Sequence, residues 1–402
     1  MEDRKQFWKG ALCGALVVLC VMGVGTVAGQ FVPRTGGFPW NIFQNSTGIE
    51  EKLNHIGEVL EQTYLRAEEI DEDTLEDGAY DGYVKALGDP YTVYYNEQQT
   101  NELMESISGE YTGIGAALAQ NNSTKVITIT RVYEGQPADE AGLKEGDVLY
   151  QVDEREITDE DLNEVVTWVK GEEGTDVDLY VWRDSEEIKL TATRRKIEVQ
   201  TVEYEMKAEN IGYIQVTEFD KVTREQFKTA LETLESDGMK GLVIDLRSNP
   251  GGSLDTVLDM LRLILPKGTI VSTKDRNGKE ATYSCDGKNE FTKPLVVLVN
   301  QYSASASEIF AGAVKDHGIG TIVGVTTYGK GVVQQLFNLN DGSSLKVTIS
   351  EYFTPSGNSI DGVGVVPDVE VEYIVDEEHP EADNQLDVAL EEIRRLQKNL
   401  KK

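Results

Sequence analysis

After Lys196 the apolar residues fall into two alternating rhythms. Ile211-Gly212-Tyr213-Ile214-Gln215-Val216 has the character of a strand. Thr223-Arg224-Glu225-Gln226 then reads as a capping box, opening a helix that puts Phe227, Leu231 and Leu234 on one face before Gly238. Gly241 to Leu246 predicts a buried strand that runs through Arg247-Ser248-Asn249-Pro250-Gly251-Gly252 into an apolar helix from Leu254 to Leu265. Pro294 to Val299 is wholly apolar and rich in β-branched residues, as in a strand covered on both faces. It leads through Ser303-Ala304-Ser305-Ala306-Ser307 into another helix. Arg276-Asn277-Gly278-Lys279 signals a hairpin, and Leu345 to Ile349 a further strand. Such alternation predicts an α/β core over residues 196–375.

Upstream the rhythm differs. Leu53, Ile56, Val59, Leu60 and Tyr64 recur at helical spacing, which predicts a helical region over residues 49–108 that is helical to about residue 86. Residues 109–195 predict a small β-rich domain. Lys125 to Thr130 and Val177 to Val181 read as strands, and Asp159 to Lys170 as an amphipathic helix with Leu162, Val165, Val166 and Val169 on one face and Thr158 as its cap. Ala11 to Gly29 is nineteen residues without a charge, flanked by Arg4, Lys5 and Lys9. It predicts a membrane-spanning anchor after a cytoplasmic stub at residues 1–10, with a cleaved signal peptide as the competing reading. Residues 30–48 read as a linker, and residues 376–402 as an acidic linker and a helix with Leu386, Leu390, Ile393 and Leu396 in one stripe. That stripe suits a partner helix, so a homodimer through terminal helices is expected.

Charge narrows the partners. There are 38 basic against 71 acidic residues, a net charge of −33, which argues against nucleic acid and anionic lipid. Cys13 and Cys20 lie in the apolar run, and Cys285 stands alone, so no intradomain disulfide is expected. No HExxH, CxxC or other ligand spacing occurs, so neither metal nor cofactor is expected.

The candidate chemistry lies between Val296 and Gln335. A serine just before a helix ordinarily caps it, and Ser303, Ser305 and Ser307 could each do so. The same position also suits a nucleophile, because free N–H groups and the helix dipole stabilise a developing oxyanion there. A serine needs a base. His317 lies twelve residues beyond Ser305, about 18 Å along a continuous helix. His55 sits in the N-terminal helical segment and His379 in the acidic tail, so no histidine is placed for the role. Lys330, between Gly329 and Gly331, could pack closely in a pocket that lowers its pKa toward the working pH. The Asn249-Pro250-Gly251-Gly252 turn is either a plain tight turn or a place where backbone N–H groups meet a reacting carbonyl.

SASASEIF followed by TYGKGVVQQ, with Lys330 twenty-five positions after Ser305 and Gln334 four further on, resembles the carboxyl-terminal processing (tail-specific) peptidases. The LGDPYT phrase from Leu87 and the segment from Tyr352 to Asp368 are similar too, so the likeness runs from about residue 50 to 375. It implies Ser305 as nucleophile, Lys330 as general base and Gln334 as the residue that orients the lysine. One of Gly251 and Gly252 would donate to the oxyanion hole, together with the Ala306 N–H. Asp316 reads as structural. Residues 109–195 resemble a PDZ domain, which implies a carboxylate-binding loop at Gly113, Ile114, Gly115 and Ala116, continuing to Leu118, beside a free strand edge.

The sequence therefore predicts a membrane-anchored serine endopeptidase with its bulk outside the cell, acting on protein or peptide substrates with free C-terminal tails. Two other classes compete. One is a catalytically inactive PDZ-type scaffold, and the other an acyl-transfer enzyme on the crotonase-like core that the family resembles.

Overall fold

The computed structural model describes residues 47–376, 378–379 and 382–400. They form two compact units, one from residues 101–333 and 349–400 and the other from residues 47–100 and 334–348.

The smaller unit holds two helices, Thr47–Thr63 and Glu72–Lys85, separated by the turn Ala67–Glu69. The single helical run expected to residue 86 is thus broken. Its strand Val93–Tyr95 pairs antiparallel with residues 344–346. The LGDPYT turn closes on Asp89, whose carboxylate accepts from the Tyr91 N–H at 3.0 Å and the Thr92 hydroxyl at 2.5 Å.

In the larger unit, a six-stranded sheet carries the α/β core in the order Val202–Lys207, Ile211–Val216, Gly241–Asp245, Leu295–Val299, Thr321–Gly324, Val369–Glu370. The first pair is antiparallel and the rest are parallel. Alternation along each strand divides its side chains between two cores. Leu242, Ile244, Leu295 and Val297 pack with Phe227, Leu258 and Phe310, which lie on the helices Thr223–Ser236, Leu254–Leu261 and Ala306–His317. Val243, Val296, Leu298 and Val323 face the other way, against Ala389 and Ile393 of the helix Asn384–Leu400.

That second core corrects the expectation for the terminal helix. Its apolar stripe is buried against its own sheet. Arg247 fixes its start, bonding Asp245 at 2.6 Å and Asp383 at 2.7 Å. A large apolar sheet face in the same chain outcompetes an external partner because closing it costs no translational freedom.

Residues 116–193 form a separate sheet in the order Ala116–Gln120, Ile127–Val132, Val148–Val152, Asp176–Arg183, Glu186–Thr193, with Ala116–Gln120 at an edge. Its helix spans Leu162–Val169. The cap is Asp161, accepting from the Asn163 N–H at 3.0 Å, and not Thr158. Asp159 has φ +60°, which keeps the expected first turn out of the helix. Likewise the Thr223/Gln226 box does not form. The Gln226 side chain accepts instead from Thr201 N at 2.9 Å and Val202 N at 3.2 Å.

The membrane-anchored localisation is also corrected. Among the described residues no helix is long and apolar enough to cross a membrane. The segment at residues 11–29 on which that expectation rested lies outside the described residues.

Candidate active site

Adjacent parallel strands deliver the two key turns to the same edge of the core sheet. Gly241–Asp245 runs toward Asn249-Gly252, Leu295–Val299 runs toward Ser303-Ser305, and the two strands pair in parallel. Open α/β sheets bind ligands at this carboxyl end. The turns are laced together. Asn249 O accepts from Ala304 N at 3.1 Å and from the Ser307 hydroxyl at 2.9 Å.

These bonds separate the three serines. Ser303 donates to Leu246 O at 2.8 Å and Ser307 to Asn249 O, so both hydroxyls serve the fold. Ser305 differs. It is fully buried, its Oγ has no hydrogen-bond partner among the described residues, and its backbone sits at φ +55°, ψ −110°. A non-glycine residue held there is strained, and such strain concentrates at functional sites.

Lys330 is fully buried as well. Its flanking glycines explain how. A Cβ on Gly331 would lie 2.3 Å from Asp361 N, and Gly329 has φ +89° with Val363 N 3.1 Å from where its Cβ would stand.

One carboxylate joins the two segments. Glu308 Oε2 accepts from Ser305 N at 2.8 Å and Lys330 N at 2.9 Å, while Oε1 accepts from the Thr327 hydroxyl at 2.6 Å and Gly329 N at 2.7 Å. The nitrogens of Ser305 and Lys330 are therefore no more than 5.7 Å apart, the two bonds laid end to end. Burial holds the Glu308 carboxyl above its ordinary range, against the weaker opposing pull of the four donors. On the other side the Tyr352 hydroxyl is a bifurcated donor, to Ser305 O at 3.1 Å and to Lys330 O. Sequence reasoning missed both residues. Ser305-Ala306-Ser307-Glu308 is a legible capping box, but the three other donors and Tyr352 are distant in the chain.

Of the glycine pair, Gly251 has its N–H engaged by Asn249 Oδ1 at 2.8 Å, whereas the Gly252 N–H makes no hydrogen bond among the described residues. Gly251 lies against the serine, with its Cβ position 2.9 Å from Ser305 Cβ and 3.1 Å from Ala306 N. Ala306 is the first residue of its helix, so its N–H has no intrahelical acceptor. Gln334 is buried; its Nε2 donates to Thr348 Oγ1 at 3.4 Å, and its Oε1 has no partner among the described residues. His317 is engaged by Thr269 O at 2.7 Å, and Asp316 accepts from Ser356 N at 2.8 Å.

In the β-rich domain, Gly113 and Ala116 pair with Arg195 and Val132. Between them, the N–H groups of Ile114 and Gly115 make no hydrogen bond among the described residues. Their carbonyls are held by Ala138 N at 2.7 Å and Tyr133 N at 3.1 Å, which turns the amides outward. They open on a groove of about 360 Å³ lined by Leu118, Val166 and Val169.

Residues 210–371 match peptidase family S41, residues 128–183 a PDZ domain, and residues 42–100 the N-terminal domain of the activating protease CtpB. The carboxy-terminal processing protease CtpA of Bacillus subtilis (strain 168) is 34% identical over 364 residues, which cover 90% of this chain and 75% of that protein. The chain belongs to the carboxy-terminal processing proteases of peptidase family S41. A probable CtpA-like serine protease of Staphylococcus aureus (strain COL) is 38% identical over 324 residues, 80% of this chain. That match spans 64% of the staphylococcal protein's length. Among solved structures, the photosystem II D1 C-terminal processing protease is 30% identical with a TM-score of 0.47, covering 84% of this chain and 90% of that one.

Behind the glycine turn of this family member lie two carboxylates. Phe219 N donates to Gly251 O at 2.9 Å and Phe219 O accepts from Ser253 N at 2.7 Å. Burial pushes the flanking Glu218 up, and burial with the Glu218 charge pushes Asp220 up to about 8. A raised carboxyl makes the folded state bind more protons than the unfolded one. Stability should therefore fall as pH rises from about 4 to about 8 and level off above. Asp220→Asn should flatten that slope and raise the melting temperature most at pH 8. Parallel wild-type and variant profiles of melting temperature against pH would contradict it.

Proposed function

We propose that this chain is a serine endopeptidase that captures the C-terminal tail of a protein substrate in its PDZ groove and cleaves with Ser305 and Lys330. The observation that carries the reading is the buried Ser305 hydroxyl, without a hydrogen-bond partner among the described residues and on a strained backbone, in a segment tied by one carboxylate to the fully buried Lys330. Ser305 Oγ attacks the peptide carbonyl as Lys330 Nζ takes its proton, and the lysine then protonates the leaving amine. The Ala306 and Gly252 N–H groups receive the oxyanion, since the Gly251 N–H is already engaged. Water then hydrolyses the acyl-enzyme. Gln334 is assigned the orienting role that the family resemblance implies.

Reaction of Ser305 with a fluorophosphonate probe, lost in Ser305→Ala, tests this against the inactive scaffold. An unlabelled wild-type protein would favour the scaffold. For a second copy of the chain as partner, the terminal helices leave the row of Leu53, Ile56 and Val59, each about half exposed.

The groove makes its own prediction. The free Ile114 and Gly115 amides suit a terminal carboxylate, and the edge strand Ala116–Gln120 suits strand addition. A substrate amidated at its C-terminus should be cut more slowly, through weaker apparent binding, by about tenfold for each 1.4 kcal/mol lost. A chain lacking residues 109–195 should lose the discrimination. Equal initial rates for acid and amide on the intact chain would show that this groove does not read tails.

A further inference from the structure

We infer that Glu308 and Tyr352 are positioning residues for the peptidase reaction, clamping the backbones of Ser305 and Lys330 from opposite sides, and that the Glu308 charge sets the pH range in which Lys330 works. The inference rests on the Ser305/Lys330 reading and goes beyond it.

A capping-box glutamate usually lies near the surface and serves one N–H of its own helix. Glu308 does that for Ser305, yet it is fully buried and also takes three donors from residues 327–330, nineteen to twenty-two positions along the chain. Helix stability does not require them. Their effect is to lock the base-bearing segment to the nucleophile-bearing one through a rigid, saturated acceptor. Tyr352 completes the arrangement. Both residues' N–H groups meet Glu308 Oε2, and both carbonyls meet the Tyr352 hydroxyl. With each residue held at both its N–H and its carbonyl, neither can swing without breaking a buried hydrogen bond. That fixes the close approach a proton transfer needs.

The charge follows from the same geometry. An extended lysine side chain reaches about 6 Å from Cα, which lies about 1.5 Å from N, so Nζ lies within about 10 Å of Glu308 Oε2 wherever it points. Among the described residues, Tyr352 is a titratable side chain bonded to the same two residues, through Ser305 O and Lys330 O, and Asp361 accepts from Gly331 N at 3.1 Å. In its charged form this carboxylate favours the ammonium form of Lys330, and the base must be neutral to act.

The test uses the full chain, a protein substrate and the pH profile of kcat/KM. Glu308→Gln keeps the shape and removes the charge. It should lower kcat about 100-fold, leave KM within about threefold, and move the acid limb to lower pH. Tyr352→Phe loses only the hydroxyl and should lower kcat about tenfold with KM and the limb unmoved. Glu308→Asp keeps the charge but withdraws it by one methylene, so kcat should fall with the limb in place. If Glu308→Gln does not fold, the last two variants decide. Wild-type kcat in Tyr352→Phe or in Glu308→Asp would overturn the clamp. An unmoved limb in a folded Glu308→Gln protein, or activity that merely tracks the folded fraction, would overturn the role of the charge. Normal turnover in Lys330→Ala, measured alongside, would instead sink the dyad reading, so the two failures are distinguishable.

Discussion

Lys330→Ala should abolish peptidase activity, lowering kcat by roughly 10⁴-fold, while the protein stays folded with a melting temperature close to that of the wild type. The kinetic half follows from chemistry. A serine hydroxyl is a poor nucleophile without a base, and members of a nucleophile–base unit fail together when one is removed. His317, the only histidine on the Ser305 helix, is held by Thr269 O at the far end. The stability half weighs opposing effects. Truncating a fully buried side chain forfeits apolar contacts worth a few kcal/mol, but it also removes an amine whose charged form is costly to bury. Lys330→Met separates them, because it keeps the volume without the amine, and it should be equally inactive and at least as stable. The measurement is turnover of a protein substrate beside thermal unfolding. Near-normal turnover in either variant would rule out the lysine as base. An unfolded Ala variant with a folded, inactive Met variant would leave the chemistry standing and correct only the stability argument.

What could be read from the sequence was mostly local. Apolar runs such as Leu295–Val299 disclose a strand because burial on both faces leaves no room for polar alternation. The glycines around Lys330 and the serine-alanine turn before a helix were legible for similar reasons. Choosing among Ser303, Ser305 and Ser307 rested on the family resemblance and not on local pattern, because the acceptors that engage two of them, Leu246 O and Asn249 O, are 57 and 58 positions away. The same distance hid the second half of Glu308's role and the whole of Tyr352's. Periodicity showed that the helix Asn384–Leu400 has an apolar stripe but not what covers it, since an external helix and the chain's own sheet impose the same pattern. The two glycines could not be told apart either, as only Asn249's reach to the Gly251 N–H distinguishes them.

That distinction makes Gly252→Ala the most informative single-methyl change in the chain. Gly252 has φ +142°, where an L side chain is strained whatever the space. There is also no space. The new Cβ would lie 2.5 Å from Phe219 O, 2.7 Å from Phe219 C and 2.8 Å from Phe219 N. These are backbone atoms, and they cannot swing aside as a side chain would. Phe219 is pinned by its bonds to Gly251 O and Ser253 N, and its ring is fully buried beside Phe310. The turn itself must therefore move, taking with it the Gly252 N–H assigned to the oxyanion hole. Loss of one such donor costs about 10²–10³ in kcat, and displacement of the turn from Ser305 should carry the loss to about 10³-fold or beyond. The strain should also cost roughly 2–4 kcal/mol of stability. The control is Gly251→Ala, whose N–H is already engaged by Asn249. Its Cβ would press on Ala304 O and Ser305 Cβ, each at 2.9 Å, so it should disturb the nucleophile directly. Fluorophosphonate labelling of Ser305 at saturating probe, set beside kcat for a peptide substrate, distinguishes the two changes. Gly252→Ala should still label to completion, though slowly, while Gly251→Ala should lose labelling extent as well. A folded Gly252→Ala protein with wild-type kcat would remove this amide from the oxyanion hole and return the choice to the Gly251 side of the turn.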